Sequence, residues 1–373
     1  MEKKKIAIVF GTRPEAIKMA PVILELKKYQ QEFEPCIIVS AQHREMLDQV
    51  LSVFSIKPDY DLDIMKPNQS LSDITADVLK GIETIFVKEN PDMVLVHGDT
   101  TTSFAAALAA YYHQIPIGHV EAGLRTHDKY FPFPEEVNRQ LIDTITDIFF
   151  APTELTKQNL LNEGKDETKI VVTGNTVIDA VYYTKNSKVK HPALDLMDSK
   201  PEQKWILLTS HRRENYGEPM RNIFEAILEI VEKRSDVEVI LPVHLSPSVQ
   251  KQARKSLGNH ARIHLIEPLE VEVFHQVINK AYLILTDSGG LQEEAPALNK
   301  PVLVLRDKTE RPEGLEEGTL RVIGTNKNKI TSEVLSLIED NIQYEQMSNA
   351  VNPYGDGLAS QRIVKKLFSW NES

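Results

Sequence analysis

Apolar and polar residues alternate along this chain with two different periodicities. Short apolar runs, of the kind that form buried strands, occur in the first half at residues 6–10, 35–40, 93–97, 115–120, 148–151 and 170–173. The segments between them carry apolar residues at helical spacing, most clearly at Leu71, Ile74, Val78, Ile82 and Ile85. This alternation of strands and helices is typical of a parallel, doubly wound α/β sheet.

A polar stretch at residues 187–203 interrupts the repeat and predicts a linker or a domain edge. Apolar runs then resume at residues 205–209, 237–243, 263–266, 282–286 and 301–305. We therefore predict an α/β protein with two Rossmann-like, doubly wound domains that face a cleft, at residues 1–175 and 176–357. Residues 358–373 predict a terminal amphipathic helix, for which the N-terminal domain is a candidate packing partner.

Composition limits the function of this 373-residue chain. Apolar residues make up 41% and charged residues 26%, as in ordinary globular proteins. The net charge of −11 argues against nucleic acid as a partner. No apolar run approaches the roughly 20 residues of a membrane-spanning helix, so we expect no membrane partner. Cys36 is the one cysteine, which excludes an internal disulfide and favours a cytoplasmic protein.

Two of the predicted strands are followed by a carboxylate. Asp99 follows the run at residues 93–97, and Glu121 follows the run at residues 115–120. The carboxyl ends of parallel strands line the ligand crevice of such a sheet, so we expect both side chains to face the same space. Two carboxylates at one site suggest proton-transfer chemistry.

Both carboxylates also have a structural interpretation. Asp99 precedes three threonines, and an Asp or Thr at this point would cap the helix that follows; capping and catalysis can hold together. Glu121 lies directly after a buried strand, where a carboxylate requires a partner. His119 and Arg125 are the nearby candidates for that partner.

Two loops of the first domain add candidate chemistry. Residues 131–136 (FPFPEE) form a proline-stiffened loop with aromatic rings, and Glu135 then opens a helix, where the helix dipole offers a second explanation for its charge. Residues 11–18 (GTRPEAIK) place a glycine turn, a proline and Arg13 after the first strand. This arrangement suits an anion, because arginine binds phosphate through a bidentate fork, and a solvated arginine is the alternative.

The first strand of the second domain leads into residues 209–215 (TSHRREN). Three candidate cations there, His211, Arg212 and Arg213, suit a pyrophosphate at the carboxyl end of the strand. The chain contains no HExxH pattern, no Cys/His metal spacing and no GxSxG turn. We therefore predict no metal site.

A second glycine-containing segment, residues 287–294 (DSGGLQEE), follows another strand and opens a helix. The backbone N–H groups of Ser288, Gly289 and Gly290 suit a phosphate at the helix N-terminus, and Glu294 suits ribose hydroxyls. A glycine turn before a capped helix is the alternative. We expect one domain to hold a nucleotide diphosphate and the other to act on the attached group.

Seven motifs in order along nearly the whole chain resemble those of one family. They are residues 11–21 (GTRPEAIKMAP), 97–102 (HGDTTT), 119–126 (HVEAGLRT), 133–139 (FPEEVNR), 173–179 (TGNTVID), 211–215 (HRREN) and 286–296 (TDSGGLQEEAP). In combination they resemble the non-hydrolysing UDP-N-acetylglucosamine 2-epimerases of bacteria. The match is specific as a set, although each motif alone is weak.

The resemblance implies a fold and a reaction. The family has two Rossmann-like domains in the GT-B arrangement of one large class of glycosyltransferases, and it works as a homodimer. It interconverts UDP-GlcNAc and UDP-ManNAc without a cofactor, by eliminating UDP to 2-acetamidoglucal and adding it back. UDP-ManNAc serves surface polymers such as teichoic-acid linkage units and capsules.

The resemblance also assigns residues. It implies that Asp99, Glu121 and Glu135 are the acid/base carboxylates and that His211 assists the diphosphate. The residues implied in UDP binding are Arg13, Lys18, Phe274, Ser288, Gly289, Gly290 and Glu294. Of these, Phe274 has an equal interpretation as a core aromatic.

Many bacterial members are activated by UDP-GlcNAc at a second site. The positions that resemble this allosteric site are Gln42, Glu45, Gln69, Glu136, Arg212 and His244. Position 45 departs from the family pattern, because it holds Glu where Gln is expected.

Three other functions are weighed against this one. A hydrolysing epimerase would release ManNAc and UDP, and a GT-B glycosyltransferase would share the UDP-binding half without needing all three carboxylates. A regulator that binds a nucleotide sugar would need no acid/base groups at all. Incubation with UDP-GlcNAc in D₂O separates most of these functions. Free ManNAc points to hydrolysis, and transfer to an added acceptor without deuterium at C2 points to a glycosyltransferase.

Overall fold

The structure, a computed structural model, describes residues 3–41, 44–66, 69–258 and 260–370. These residues form two compact units. The first comprises the described residues up to Ala180 and those from Tyr354 onward, and the second is Val181–Pro353. Each unit contains one parallel sheet with alternating helices, which confirms the predicted α/β class with two doubly wound sheets.

The sheet of the first unit has the strand order β3-β2-β1-β4-β5-β6-β7, and all neighbouring strands pair in parallel. Its strands are β1 (Lys4–Phe10), β2 (Phe33–Val39), β3 (Tyr60–Asp61), β4 (Met93–His97), β5 (Ile117–Val120), β6 (Ile148–Ala151) and β7 (Ile170–Val172). The strand order reverses between β1 and β4. Such a switch point opens a crevice at the carboxyl ends of the strands.

The sheet of the second unit repeats this plan with the order β10-β9-β8-β11-β12-β13. Its strands are β8 (Lys204–Thr209), β9 (Val237–Pro242), β10 (Ile263–Ile266), β11 (Leu283–Thr286), β12 (Val302–Val304) and β13 (Leu320–Val322). Its switch point lies between β8 and β11, so the loops after these two strands are the natural ligand-binding loops of this unit.

Helices connect successive strands, and α14, α15 and α16 follow the last strand, β13. In chain order they are α1 (Arg13–Leu26), α2 (Arg44–Val53), α3 (Leu71–Glu89), α4 (Thr101–Tyr112), α5 (Glu135–Ile145), α6 (Glu154–Asn162), α7 (Thr176–Thr184), α8 (Pro192–Asp198), α9 (Glu218–Lys233), α10 (Pro247–Leu257), α11 (Val271–Lys280), α12 (Leu291–Glu294), α13 (Pro312–Glu316), α14 (Lys327–Glu339), α15 (Asn341–Ser348) and α16 (Ala359–Ser369). Among the described residues, no helix combines the length and the apolar composition that a membrane crossing requires.

The strands of the first sheet are apolar runs because helices cover both of its faces. On one face, Ala7, Val9 and Val96 belong to a buried cluster with apolar residues of α3 and α4. The small side chains of α4, such as Ala105 and Ala109, are fully buried in that cluster. The alanine-rich sequence of α4 therefore reflects a helix packed closely between the sheet and its neighbours.

The predicted linker at residues 187–203 is wrong in part, because it contains helix α8. Ala193, Leu194 and Met197 of this helix are buried in one hydrophobic cluster with Trp205. This short apolar face lies among lysines and prolines, so the segment has no clear helical periodicity in the sequence. The short strands β3 and β13 were not predicted either, since two or three residues give no periodicity.

Helix α16 packs on the first unit although it lies at the other end of the sequence. The ring of Phe368 meets Tyr29 and Phe33 edge-on, with centroids 5.2 Å and 4.8 Å away. The start of the helix is held by Asp179, which accepts hydrogen bonds from the backbone N–H of Ser360 at 2.8 Å and from its hydroxyl at 2.6 Å. The first unit is therefore built from two separate parts of the chain.

Candidate active site

Glu121 lies at the carboxyl end of β5 with a left-handed backbone (φ 67°). Its side chain is 9% exposed, and three groups converge on one oxygen, Oε2. Lys18 Nζ forms an ion pair with it, Asn175 Nδ2 donates to it at 2.9 Å, and His97 Nε2 lies 3.6 Å away. A non-glycine residue in this region costs about 1 kcal/mol or more, and such strain is concentrated at functional sites.

The electrostatic balance at Glu121 favours the carboxylate. Burial acts to raise the pKa of Glu121, but the charges of Lys18 and His97 outweigh it and hold the pKa well below its usual value. The other oxygen, Oε1, accepts no hydrogen bond from any residue that the structure describes. A Cβ at Gly98 would lie 3.9 Å from Oε1, which is an ordinary van der Waals contact.

The predicted partners of Glu121, His119 and Arg125, are wrong. His119 and Arg125 instead share a third carboxylate, Asp143, at 2.6 Å and 2.7 Å. The second ring nitrogen of His119 meets the carbonyl oxygen of Gly98 at 2.7 Å. His119 and Glu121 are two residues apart and would share a face of a continuous strand. The chain turns after Val120, so the side chain of Glu121 leaves this network. Burial acts to raise the pKa of Asp143, and His119 and Arg125 together hold it below its usual value.

Asp99 is half-buried at the carboxyl end of β4 and is paired with one arginine. Arg139 donates to Asp99 Oδ2 from Nε at 3.1 Å and from Nη2 at 2.7 Å. The cap of α4 is Thr100, whose hydroxyl accepts from the Ser103 N–H at 3.1 Å. Of the two capping candidates, the structure therefore selects the threonine and leaves the Asp99 carboxylate to Arg139.

Glu15 is a further buried carboxylate, which the sequence pattern did not single out, and it lies between the loops after β1 and β4. Its Oε2 accepts the N–H groups of Gly11 at 3.0 Å and Thr12 at 2.7 Å. Its Oε1 accepts the hydroxyls of Thr100 at 2.7 Å and Ser103 at 2.9 Å. Glu15 thus ties the loop after β1 to the loop after β4. The Thr-x-x-Glu spacing of a capping box was the signal that could have found it.

Arg13 and Glu135 are both half-buried at the first residue of a helix, α1 and α5 respectively. Neither side chain forms an ion pair with another residue in the described part of the chain. The phenyl rings of Phe131 and Phe133, just before Glu135, are more than half exposed. Arg13 and Glu135 therefore stay predictions as ligand-binding and acid/base residues.

In the second unit, Asp287 organises the loop that carries His211. Asp287 is fully buried and accepts hydrogen bonds from the backbone N–H of His211 at 2.9 Å and of Arg212 at 3.0 Å. It also accepts from Ser210 Oγ at 3.1 Å and Asn215 Nδ2 at 2.9 Å. This role of Asp287 was not predicted, although the residue directly follows β11 at the switch point of its sheet.

His211 lies between an acid and a second histidine. Its Nδ1 is 3.4 Å from Asp287 Oδ1, and its ring stacks on that of His244 with centroids 5.5 Å apart. Burial lowers the pKa of His211 below the usual value, against the opposing charge of Asp287. The imidazole is therefore neutral at pH 7 and can donate or accept one hydrogen bond at its free nitrogen.

The glycine turn that we predict to bind phosphate follows β11, and the helix it opens, α12, has only four residues. The Ser288 N–H donates to the Thr286 hydroxyl at 2.9 Å. Glu294 is half-buried, with Oε2 3.5 Å from His275 Nε2. Phe274 is half-buried and packs against the hydrophobic cluster of α11, in keeping with its interpretation as a core aromatic.

The positions predicted for a second ligand have mixed surroundings. Glu136 is fully buried and accepts from the N–H groups of Thr126 and His127 and from Arg139 and Gln140, so its bonds lie within the first unit. Gln69 bonds the backbone of its own loop, at Ile64 and Lys66. Gln42 and the side chain of Glu45 lie outside the described residues.

Among the described residues, no group of three or more His, Cys, Asp or Glu side chains is placed to bind a metal ion. The groups available for chemistry are carboxylates, imidazoles and cations. They can move protons and bind a diphosphate.

A family model described as UDP-N-acetylglucosamine 2-epimerase matches residues 25–368. The chain belongs to the UDP-N-acetylglucosamine 2-epimerase family. It is therefore an enzyme of the isomerase class. The family member from Bacillus subtilis (strain 168) is 58% identical over 367 residues, which cover 98% of this chain and 96% of the relative.

Two solved structures match over nearly their full length. The MnaA protein of S. aureus, solved with UDP, has a TM-score of 0.88 and 55% identity, covering 99% of this chain and 97% of that one. The UDP-GlcNAc 2-epimerase of Neisseria meningitidis, bound to UDP-GlcNAc, has a TM-score of 0.88 and 50% identity, covering 98% and 100%.

Proposed function

We propose that this chain interconverts UDP-GlcNAc and UDP-ManNAc without hydrolysis, by elimination and re-addition of UDP. The observation that carries the proposal is the set of contacts that the Glu121 carboxylate makes. One of its oxygens is held by Lys18 and Asn175, whereas the other has no partner among the described residues and lies beside Gly98. A carboxylate fixed in this way is prepared to act on a ligand.

The chemistry balances without a cofactor. A base removes the proton from C2 while the bond from C1 to the diphosphate oxygen breaks, which gives 2-acetamidoglucal and UDP. The diphosphate oxygen then attacks C1 again, and a proton reaches C2 from the opposite face. The route needs acid/base groups near C2 and stabilisation of the charge on departing UDP.

The residues of the two units divide these tasks. We assign Asp99, Glu121 and Glu135 to proton transfer and His211 to the departing diphosphate. The residues assigned to UDP are Arg13, Lys18, Phe274, Ser288, Gly289, Gly290 and Glu294. Relatives solved with UDP and with UDP-GlcNAc support this choice of ligand.

The proposal has further parts that rest on the resemblance. They are a homodimer in the cytoplasm, supply of UDP-ManNAc for surface polymers, and activation by a second UDP-GlcNAc. The residues assigned to the activator are Gln42, Glu45, Gln69, Glu136, Arg212 and His244.

Incubation with UDP-GlcNAc in D₂O tests the proposal. We expect ¹H NMR to show deuterium at C2 in both UDP-GlcNAc and UDP-ManNAc, with the sugars still attached to UDP. Free ManNAc with stoichiometric UDP would identify a hydrolase instead. Glu154→Gln is the matched control for carboxylate variants, because Glu154 is an exposed glutamate at the start of α6, and it should retain full exchange.

A further inference from the structure

His275 is a buried histidine of α11 to which neither the sequence nor the proposed function gives a role. Its side chain is 2% exposed. Nδ1 of the ring lies 2.6 Å from the hydroxyl oxygen of Thr184, and Nε2 lies 3.5 Å from Oε2 of Glu294. All three residues belong to the second unit. A ring that meets a polar group at each nitrogen is fixed in orientation, and a fixed ring can position its neighbour.

Glu294 is the residue that we assign to the ribose hydroxyls, and few groups of the second unit hold its carboxylate. No described residue donates a hydrogen bond to either of its oxygens within ordinary range, and His275 is the titratable group beside it. Oε1 lies beside Gly290, where a Cβ would be only 3.0 Å away. The carboxylate therefore keeps acceptor capacity for the hydroxyls of a ligand.

The chemistry of the three groups fixes the direction of each contact. A carboxylate only accepts hydrogen bonds, so Nε2 of His275 carries the hydrogen that faces Glu294. A hydroxyl can donate or accept, so Thr184 suits Nδ1 in either form of the ring. The Thr184 hydroxyl also lies 3.4 Å from the Val181 carbonyl oxygen, but its contact with the imidazole is much shorter. Thr184 thus holds His275, and His275 faces Glu294.

The distance of 3.5 Å between His275 Nε2 and Glu294 Oε2 is longer than a hydrogen bond. N–H···O bonds extend to about 3.2 Å, so a side-chain shift of about 0.3 Å makes the bond. Hydrogen bonds in enzyme sites are often long before a ligand binds and tighten in the complex. The pair can therefore close as the hydroxyls of a ribose approach the carboxylate.

Glu294 depends on support from outside its own helix. Helix α12 has only four residues, too few to fix a side chain by itself. Helix α11, which carries His275, is anchored by Val273, Val277 and Ile278 in a buried hydrophobic cluster. A side chain of α11 is therefore a firmer reference for the Glu294 carboxylate than α12 alone.

We propose that His275 is a positioning residue that holds the Glu294 carboxylate for the two hydroxyls of a ribose, so that the second unit selects ribonucleoside diphosphates over their deoxy analogues. The inference rests on the proposed function, which assigns Glu294 to the ribose of UDP. It adds the residue that makes this contact selective. A ligand without the hydroxyls leaves the half-buried carboxylate desolvated and unpaired, and the site discriminates against it for that reason.

Two substitutions separate the nitrogens of His275. The amide nitrogen of glutamine can take the place of Nε2, so His275→Gln keeps a donor to Glu294. The shorter asparagine reaches only the place of Nδ1, so His275→Asn keeps a polar group at Thr184 and loses that donor. His260→Asn is the matched control, because His260 is half-buried before the amino end of β10, away from the loops at the carboxyl ends of the strands.

Calorimetric titration of the full chain with UDP and with 2′,3′-dideoxy-UDP, which lacks both hydroxyls, measures the selectivity. Wild type should bind UDP about 100-fold or more tightly than the dideoxy compound, because two hydrogen bonds to a charged acceptor are lost. In His275→Asn this ratio should fall to about tenfold or less, with affinity for the dideoxy compound changed less than about twofold. His275→Gln and His260→Asn should keep the ratio within about threefold of wild type.

Turnover gives a second readout of the same contact. His275→Asn should raise the KM for UDP-GlcNAc about tenfold and change kcat less than about threefold, since the ribose is bound alike in the ground state and the transition state. His275→Gln should restore most of the KM. A fall in kcat without a change in KM would contradict a role in ribose binding.

A purely structural His275 would weaken UDP and the dideoxy compound by the same factor, which would overturn the inference. So would an unchanged ratio in His275→Asn, or a ratio in His275→Gln as low as in His275→Asn. If His275→Asn does not fold, as judged by circular dichroism, Thr184→Val decides, and it should lower the ratio at least about threefold. The titrations need no turnover, so absence of C2 exchange in wild type would overturn the proposed reaction and not this inference.

Discussion

Two carboxylates that directly follow a strand have opposite surroundings in the two units. Asp287, after β11, is fully buried and accepts hydrogen bonds from four neutral donors in the loop of residues 210–215. Glu121, after β5, meets the cation of Lys18 and the ring of His97 on one oxygen only. A position directly after a parallel strand therefore supports a structural acid in one unit and a candidate reacting acid in the other.

The difference shows how burial and bonding separate the two roles. Neutral donors on both oxygens of Asp287 satisfy the carboxylate and fix the shape of the His211 loop. At Glu121, charged neighbours set the protonation state while Oε1 has no hydrogen-bond donor within the described part of the chain, and the backbone is strained. A carboxylate with an unused oxygen and charged neighbours is the better candidate for catalysis.

The largest expected effect is that of Glu121→Gln. The amide cannot accept or supply a proton, so C2 exchange and kcat should fall by about 10³-fold, with UDP affinity unchanged. Deuterium incorporation followed by NMR measures the first quantity and calorimetric titration with UDP the second. Exchange within tenfold of wild type would remove Glu121 from the proton-transfer step.

Asp287→Asn should lower the stability of the second unit. The amide places an NH₂ group against N–H donors of His211 and Arg212, so we expect the second unit to lose about 3 kcal/mol. Hydrogen exchange of peptides from β8 and β11 measures this loss. Asp195→Asn, on the exposed side of α8, is the control and should change protection by less than about 0.5 kcal/mol. Unchanged protection in Asp287→Asn would contradict the structural role.

Lys18→Met should move the pH dependence of the reaction. Lys18 holds the pKa of Glu121 down against burial, so its removal raises that pKa. The carboxylate is then lost at a higher pH as the solution is acidified, and the acidic limb of kcat/KM moves to higher pH. The pH profile of kcat/KM checks this direction. A limb that stays in place or moves to lower pH would show that Glu121 does not set it.

Ser210→Ala should have the smallest effect on stability, and it tests whether several donors share the Asp287 carboxylate. Its hydroxyl is one donor of several, at 3.1 Å, so its loss should cost about 1 kcal/mol in the second unit and leave kcat unchanged. The same hydrogen-exchange peptides provide the measurement. A loss as large as that of Asp287→Asn would mean that the donors do not share the carboxylate.

Much of the fold could be predicted from the apolar pattern. The strands β4, β6 and β10 begin and end where their apolar runs do, because both faces of a parallel sheet are buried. The pattern failed where an element was too short or too polar. β3 has two residues, and α8 buries its apolar face behind lysines and prolines.

Sequence located Glu121 but not its partners. His119 and Arg125 are close in sequence, yet Lys18 and Asn175 are 103 and 54 residues away. Which side chains meet depends on the turn after β5 and on the packing of α1 beside β1, and neither leaves a local signal. The capping box that involves Glu15 was the exception, since its spacing is local.

The return of α16 to the first unit has a consequence for synthesis of the protein. The hydrogen bond from Ser360 to Asp179 and the ring contact of Phe33 with Phe368 cannot form until the ribosome has translated the whole second unit. The second unit is continuous in sequence and can fold as it emerges. The unit that carries Glu121 is thus the first to be translated in part and the last to be completed. In a nascent chain stalled before residue 359, this unit would lack α16.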